Sequence, residues 1–166
     1  LVEPQSSGIG GGGFMLHWDA ARRRVSAWDG RETAPRSASA DFARRPDGTP
    51  ATFSELLATG KAVGVPGLVA MLEAAHRRHG KLPLATVLAP AIHFAEAGLP
   101  LSPVVAGDWQ RSVPRFKDKP GFVDVFMPFH TADGTPRPPR EGELFKNPAL
   151  ARTLRQIAAK GRDAYY

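Results

Sequence analysis

Glu3-Pro4-Gln5-Ser6-Ser7-Gly8-Ile9-Gly10-Gly11-Gly12-Gly13-Phe14-Met15 is the stretch on which the reading of this chain turns. A run of glycines can cradle a phosphate, but that use needs a strand before it, a helix directly after it and a lysine or downstream acid. Here a strand pattern follows, and no lysine occurs before Lys61. Glycines in succession also serve where backbones pass close together. The order of elements favours close approach beneath a site over nucleotide binding.

Working outward, Phe14-Met15-Leu16-His17-Trp18 reads as a strand and Arg24-Val25-Ser26-Ala27-Trp28 as its antiparallel partner, with the turn from Asp19 to Arg23. A polar loop follows, Asp29-Gly30-Arg31-Glu32-Thr33-Ala34-Pro35. Site residues often lie on such loops. Arg31 could grip a carboxylate through two parallel hydrogen bonds, held in place by Asp29 or Glu32. It could equally form a local surface ion pair that contributes almost nothing. Spacing alone favours the ion pair.

Residues 36–63 are mixed and loop-rich, with a short helical stretch around Ser54–Thr59. A helix is expected over Gly67–His79, with Leu68, Val69, Leu72 and Ala75 as its apolar stripe and Gly80 as its end. A second spans Pro83–Ala97, with Val87, Leu88, Ala91, Ile92 and Ala95 on one face and Gly98 as its stop. A third begins at Ser102 as N-cap and Pro103 at the first helical position and runs toward Val113. Residues 114–146 carry many prolines and glycines and read as an irregular excursion. The clearest helix is capped by Asn147, has Pro148 at its first position, and aligns Leu150, Leu154, Ile157 and Ala158 before Gly161.

Length and composition bound the function. The 166 residues are the size of about one domain, and 42% hydrophobic with 23% charged residues is a globular balance. Lysine and arginine number 22 against 16 acids, a net charge of +6. The cations lie in separate clusters, Arg22-Arg23-Arg24, Arg44-Arg45, Arg77-Arg78, Arg137 and Arg140, without interleaved aromatics, so solvated charge is favoured over nucleic acid. No cysteine occurs, which excludes a thiol nucleophile, a thiolate metal site and a disulfide scaffold. No apolar run approaches the roughly 18–20 residues of a spanning helix. Glu73, His76 and His79 fall at i, i+3 and i+6, and the drift of about 60° per step keeps them from converging on a metal. His17, His93 and His130 have no partner that spacing can identify. Ser6 and Ser7 lack the flanking glycine of a nucleophile elbow.

The glycine stretch 3–15 is similar to the signature of the γ-glutamyltransferases (γ-glutamyltranspeptidases, glutathione hydrolases), and Asp29–Pro35 resembles that family's next motif. Gly64-Val65-Pro66-Gly67-Leu68-Val69-Ala70 and Leu88-Ala89-Pro90-Ala91-Ile92 look like two further blocks. Asn147-Pro148-Ala149-Leu150-Ala151-Arg152-Thr153-Leu154, with Ile157-Ala158 and Tyr165-Tyr166, looks like its next helix. The similarity runs in colinear order along essentially the whole chain. The glycine block and the arginine motif together are highly specific.

The resemblance implies an α/β (α+β) fold, part of an N-terminal-nucleophile hydrolase αββα sandwich that is incomplete in this chain, with residues 1–166 as a single partial domain of the large subunit. It implies a precursor (a zymogen) that cleaves itself, a small-subunit N-terminal threonine that attacks the γ-glutamyl amide, and transfer of the acyl group to an amino acid, a peptide or water. Glutathione is one such substrate. Arg31 would bind the α-carboxylate of the γ-glutamyl group, and Asp29 and Glu32 would support it. No metal or organic cofactor is implied. The threonine junction has no counterpart here, since His130-Thr131-Ala132 reads the wrong way round. The chain is therefore expected to hold no catalytic residue, to need the small subunit and the rest of the large one as partners, and to be inactive alone. Family habit places such proteins in the periplasm or outside the cell, with any signal outside these residues. A cephalosporin (glutaryl) acylase, a polyglutamate-processing relative and a non-catalytic carboxylate-binding module are the alternatives.

Overall fold

The computed structural model describes residues 2–57, 59–118 and 121–166 as a mixture of helices and short strands. Two units can be distinguished, one formed by residues 9–79 and the other by residues 1–8 with 80–166.

The 9–79 unit is organised by the expected hairpin. Strand β1 (Phe14–Asp19) pairs antiparallel with β2 (Arg24–Asp29) in the register Phe14↔Asp29 through Asp19↔Arg24. Asp19 closes the turn by accepting hydrogen bonds from the Arg22 backbone N–H at 3.0 Å and from its guanidinium at 2.8 Å, and Arg23 takes a positive φ of 48°. Beyond the strands, Gly13 and Gly30 exchange backbone hydrogen bonds of 2.9 and 3.2 Å, so the ladder continues into the glycine stretch. Helix α1 (Phe53–Leu57) is the short helix expected around Ser54–Thr59, of which Ala58 lies outside the described residues. Its start is a reciprocal cap: Thr52 Oγ1 accepts from the Glu55 N–H, and the Glu55 carboxylate accepts from the Thr52 N–H. Helix α2 (Leu68–His79) matches the expected one, although Met71 rather than Leu72 is buried beside Val69 and Ala75.

The N-terminus of α2 is tied directly to the glycine stretch. The Gly11 carbonyl accepts from the N–H groups of Gly67 and Leu68 at 3.2 and 3.1 Å, meeting the need that the first turn of a helix leaves open. A Cβ at position 67 would lie 2.5 Å from the carbonyl oxygens of Gly30 and Arg31, so only glycine fits there. Thr33 and Val65 form a bridge beside it, with hydrogen bonds of 3.2 and 2.8 Å.

In the other unit, α3 (Leu84–Ala97) packs against α6 (Pro148–Lys160). Ala95, Ala151, Leu154 and Ile157 are buried there, whereas Val87 lies on the outer side of α3. The two helices are linked by the ion pair of Glu96 with Arg155. Asn147 caps α6 through the Leu150 N–H at 2.9 Å, and Ser102 caps α4 (Pro103–Phe116) through the Val105 N–H at 3.3 Å. Helix α4 runs past Pro114, which has no N–H to offer the Gln110 carbonyl one turn back, and ends two residues later. Trp109 is the centre of this core at 1% exposure, packed on Phe145 and Phe126 and donating its indole N–H to the Phe126 carbonyl at 2.7 Å.

The stretch 114–146 is more ordered than its composition suggests. It holds the end of α4, helix α5 (Phe122–Phe126) and three two-residue strands. Strand β4 (Phe129–His130) pairs with β5 (Pro136–Arg137), and β6 (Leu144–Phe145) pairs with β3 (Leu99–Pro100). The Asp133 carboxylate organises the β4–β5 turn by accepting from the Thr131 hydroxyl and the Thr135 N–H. Arg137 grips Glu143 at 2.6 and 2.9 Å, and this guanidinium holds the Glu143 carboxyl down at about 2.

Candidate functional site

The loop after β2 presents the arginine singled out from the sequence, and its neighbours hold it in different ways. Asp29 accepts the Arg31 backbone N–H at 2.8 Å, a short local turn that fixes where the arginine leaves the strand. Glu32 takes the guanidinium, with Arg31 Nη1 and Glu32 Oε2 3.4 Å apart in an ion pair that lacks hydrogen-bond geometry. Asp29 thus shapes the backbone and Glu32 faces the charge.

Glu32 sits in a slot that glycine makes. A Cβ at Gly12 would fall 2.6 Å from Glu32 Oε2 and 2.9 Å from both the Arg31 Cα and the Gly30 carbonyl. One at Gly11 would lie 3.0 Å from Glu32 Oε1, and one at Gly64 would lie 2.8 Å from the Glu32 Cβ. The glycine stretch and the 64–67 segment therefore clasp this side chain from two directions. Glu32 Oε2 is buried there without a hydrogen-bond partner. The Arg31 side chain, by contrast, stays 69% exposed, with most of its five donors open to a ligand.

Arg31, Glu32, Phe42, Lys61 and Val63 are among the residues lining a cleft of about 340 Å³, a volume within the usual range for small-ligand sites. Its chemistry is that of an anion receptor with an apolar wall. The glycine stretch is not a phosphate cradle, because the helix N–H groups nearest to it already bond the Gly11 carbonyl.

The remaining candidates lie elsewhere. His79 stacks on His17 with ring centroids 3.7 Å apart, and Trp28 meets His79 edge-on. His17 Nδ1, Trp28 Nε1 and His79 Nε2 are all buried without hydrogen-bond partners. Burial beside His17, Arg78 and Arg22 lowers the His79 pKa below its ordinary value, with Asp19 acting in the opposite sense. This stack joins the end of α2 to the hairpin, and no periodicity could have revealed a contact between positions so far apart in sequence. Among the described residues no three histidine, aspartate or glutamate side chains are grouped to hold a metal. His93 lies against Phe94, and His130 belongs to β4.

The fold and the loop define a mixed α/β protein with an arginine set on a glycine-buttressed turn, and comparison with known proteins gives its family. The family model described as gamma-glutamyltranspeptidase matches residues 1–166, so the chain belongs to the gamma-glutamyltranspeptidase family. The glutathione hydrolase proenzyme of Bacillus subtilis (strain 168) is 37% identical over 169 residues, which cover 100% of this chain and 27% of that protein. The crystal structure of Helicobacter pylori gamma-glutamyltranspeptidase superposes with a TM-score of 0.86 at 31% identity, covering 99% of this chain and 45% of that one. The cephalosporin acylase from Bacillus halodurans superposes with a TM-score of 0.78 at 30% identity, over 99% of this chain and 30% of its own. The chain thus spans about a quarter of the curated relative's length. Its mixed helices and strands are an incomplete part of the α/β fold that these neighbours share.

Proposed function

We propose that this chain is the part of a γ-glutamyltransferase large subunit that anchors the γ-glutamyl group, in a protein that transfers or hydrolyses γ-glutamyl amides such as glutathione. The observation that carries this reading is the exposed Arg31 guanidinium over the cleft, with Glu32 locked behind it by Gly11, Gly12 and Gly64. Every γ-glutamyl compound bears a free α-carboxylate, and a guanidinium fork held on one side can read it bidentately on the other. Glu32 orients the fork, and Asp29 sets the backbone from which it projects.

The nucleophile in this reading is an N-terminal threonine of the small subunit, outside these 166 residues. Its amine takes the hydroxyl proton as the oxygen attacks the γ-carbonyl, and the amide leaves as an amine. An amino acid, a peptide or water then receives the acyl group. Arg31 contributes by fixing the γ-carbonyl relative to the hydroxyl, and such positioning can supply several kcal/mol of the barrier. The chain by itself is inactive, its partners are the rest of the large subunit and the small subunit, and the protein works in the periplasm or outside the cell.

The test compares the full-length protein with the 166-residue chain for release of aniline from a γ-glutamyl anilide. Activity in the first and none in the second is the expected outcome. Arg31→Ala in the full-length protein should raise KM by about tenfold or more, the loss of a charge-assisted hydrogen-bonded contact, while Tm stays put because the side chain is exposed. An unchanged KM would remove Arg31 from the anchor role. The likeness to a cephalosporin acylase supports a second reading, since a glutaryl group also ends in a carboxylate that Arg31 could hold. A full-length protein that processes itself, ignores γ-glutamyl anilide and cleaves a glutaryl amide would establish that reading instead.

A further inference from the structure

Lys61 lines the same cleft as Arg31 and also lines a second, neighbouring one, of about 560 Å³, with Asp41, Arg44 and Arg45. Three of the four cations along these two clefts are matched by carboxylates. Arg31 faces Glu32 at 3.4 Å, Arg44 meets Asp41 at 3.0 Å, and Arg45 grips Glu55 at 2.8 Å. Lys61 has no ion-pair partner among the described residues. Its position is nevertheless set. The Thr59 hydroxyl accepts the Lys61 N–H at 3.3 Å and starts the short 3₁₀ turn Gly60–Ala62, which leads into the Gly64–Gly67 segment clasping Glu32. The cleft of about 340 Å³ has room for roughly ten waters at about 30 Å³ each, more than one carboxylate displaces. A single unmatched ammonium at the wall of an anion-binding cleft is an acceptor site for one further negative charge.

We propose that Lys61 is a specificity residue that favours γ-glutamyl substrates whose leaving group carries a carboxylate of its own. This rests on the reading of Arg31 as the anchor of the first carboxylate. Arg31 takes the α-carboxylate common to all such substrates, and Lys61 takes the second one, which only some possess. Lysine suits the task, because a point charge on a flexible stem can follow leaving groups of different length where a guanidinium fork would demand one geometry.

The experiment measures KM and kcat of the full-length protein for γ-glutamylglycine and γ-glutamylglycinamide, which differ only in the charge of the leaving group. Lys61→Met should raise KM for γ-glutamylglycine about three- to fivefold, the scale of a solvent-exposed ion pair, and leave both kcat values and the KM for the amide unchanged. Lys61→Arg should keep the preference. Raising the salt concentration should shrink it in the parent protein and not in Lys61→Met. Equal effects of Lys61→Met on the two substrates, or none on either, would overturn the assignment. Arg31→Ala separates the two levels. It should raise KM for both substrates alike, and if it moves neither, the anchor reading falls while the acid-to-amide ratio in Lys61→Met still judges Lys61.

Discussion

The two units of this chain are stabilised by different means. In residues 80–166 side chains dominate: Trp109, Phe145, Leu101 and Val105 form an apolar cluster, and α3 and α6 bury Ala95, Ala151, Leu154 and Ile157 between them. In residues 9–79 the buried hydrophobic residues are Val69, Met71 and Ala75 among those described, and backbone does more of the joining. Gly13 bonds Gly30, Thr33 bonds Val65, and Gly11 bonds the start of α2. The candidate site lies in the second kind of structure. A side-chain core tolerates small shifts by repacking, whereas a loop clasped by glycines against carbonyl groups has one arrangement or none. Fine positioning of a guanidinium is better served by the latter.

Substitutions in the full-length protein can break this contrast. The largest effect belongs to Trp109→Ala, which should cost about 3–5 kcal/mol by emptying the core and losing the indole bond to Phe126. Hydrogen exchange should then quicken in α4 and β6 and leave the Arg31 loop protected. Equal loosening of the Arg31 loop would show that the units are not energetically distinct. Gly67→Ala should come next, at about 1–3 kcal/mol, because the added methyl meets two carbonyl oxygens at 2.5 Å. Here exchange should quicken around residues 30–33 and 64–68, and KM for γ-glutamyl anilide should rise with it. A variant as stable and active as the parent would refute the close fit.

The smallest effect concerns acidity. Burial holds the His79 pKa below its ordinary value, so the folded protein binds fewer protons at this site than the unfolded chain. The stabilisation from holding His79 neutral in its stack is complete above the ordinary imidazole range and fades as pH falls through the lowered value. His17, Arg22 and Arg78 discourage the added charge, Asp19 accommodates it, and Trp28 is neutral. Protection of the amides at the end of α2, taken as exchange relative to the intrinsic rate at each pH, should therefore weaken from about pH 7 to pH 5, the span in which imidazoles titrate. In His79→Phe it should be flat. A pH-independent parent would show that the stack carries no linkage.

How much of this could be read from residue order depends on the range of each interaction. The hairpin, α2, α3 and α6 announce themselves because a period of two or 3.6 repeats over enough positions, with Asn147-Pro148 and Ser102-Pro103 marking starts. Strands β3 to β6 are two residues each and have no period to detect. Their pairing rests on turns such as the one Asp133 organises. At the site, Arg31 was legible as a motif, and the glycine stretch as a place of close approach. That Glu32 rather than Asp29 meets the guanidinium was not legible, since the choice depends on a slot assembled from positions 11, 12 and 64. Lys61 escaped notice for the same reason, and so did the stacking of His17 on His79.

The hairpin itself carries a consequence for the whole fold. Its inward residues, Met15, His17 and Trp28 among them, are partly covered, while Phe14, Leu16, Trp18 and Val25 on the opposite face are 70%, 75%, 57% and 53% exposed. Strands that are greasy on both faces are built for the middle of a layered stack, as the central sheets of an αββα sandwich are. Left open to water, such a face invites self-association. Folding is then also a matter of keeping this face covered: while it is open, copies of the chain meet through it, and the yield of folded protein depends on how dilute the chain is.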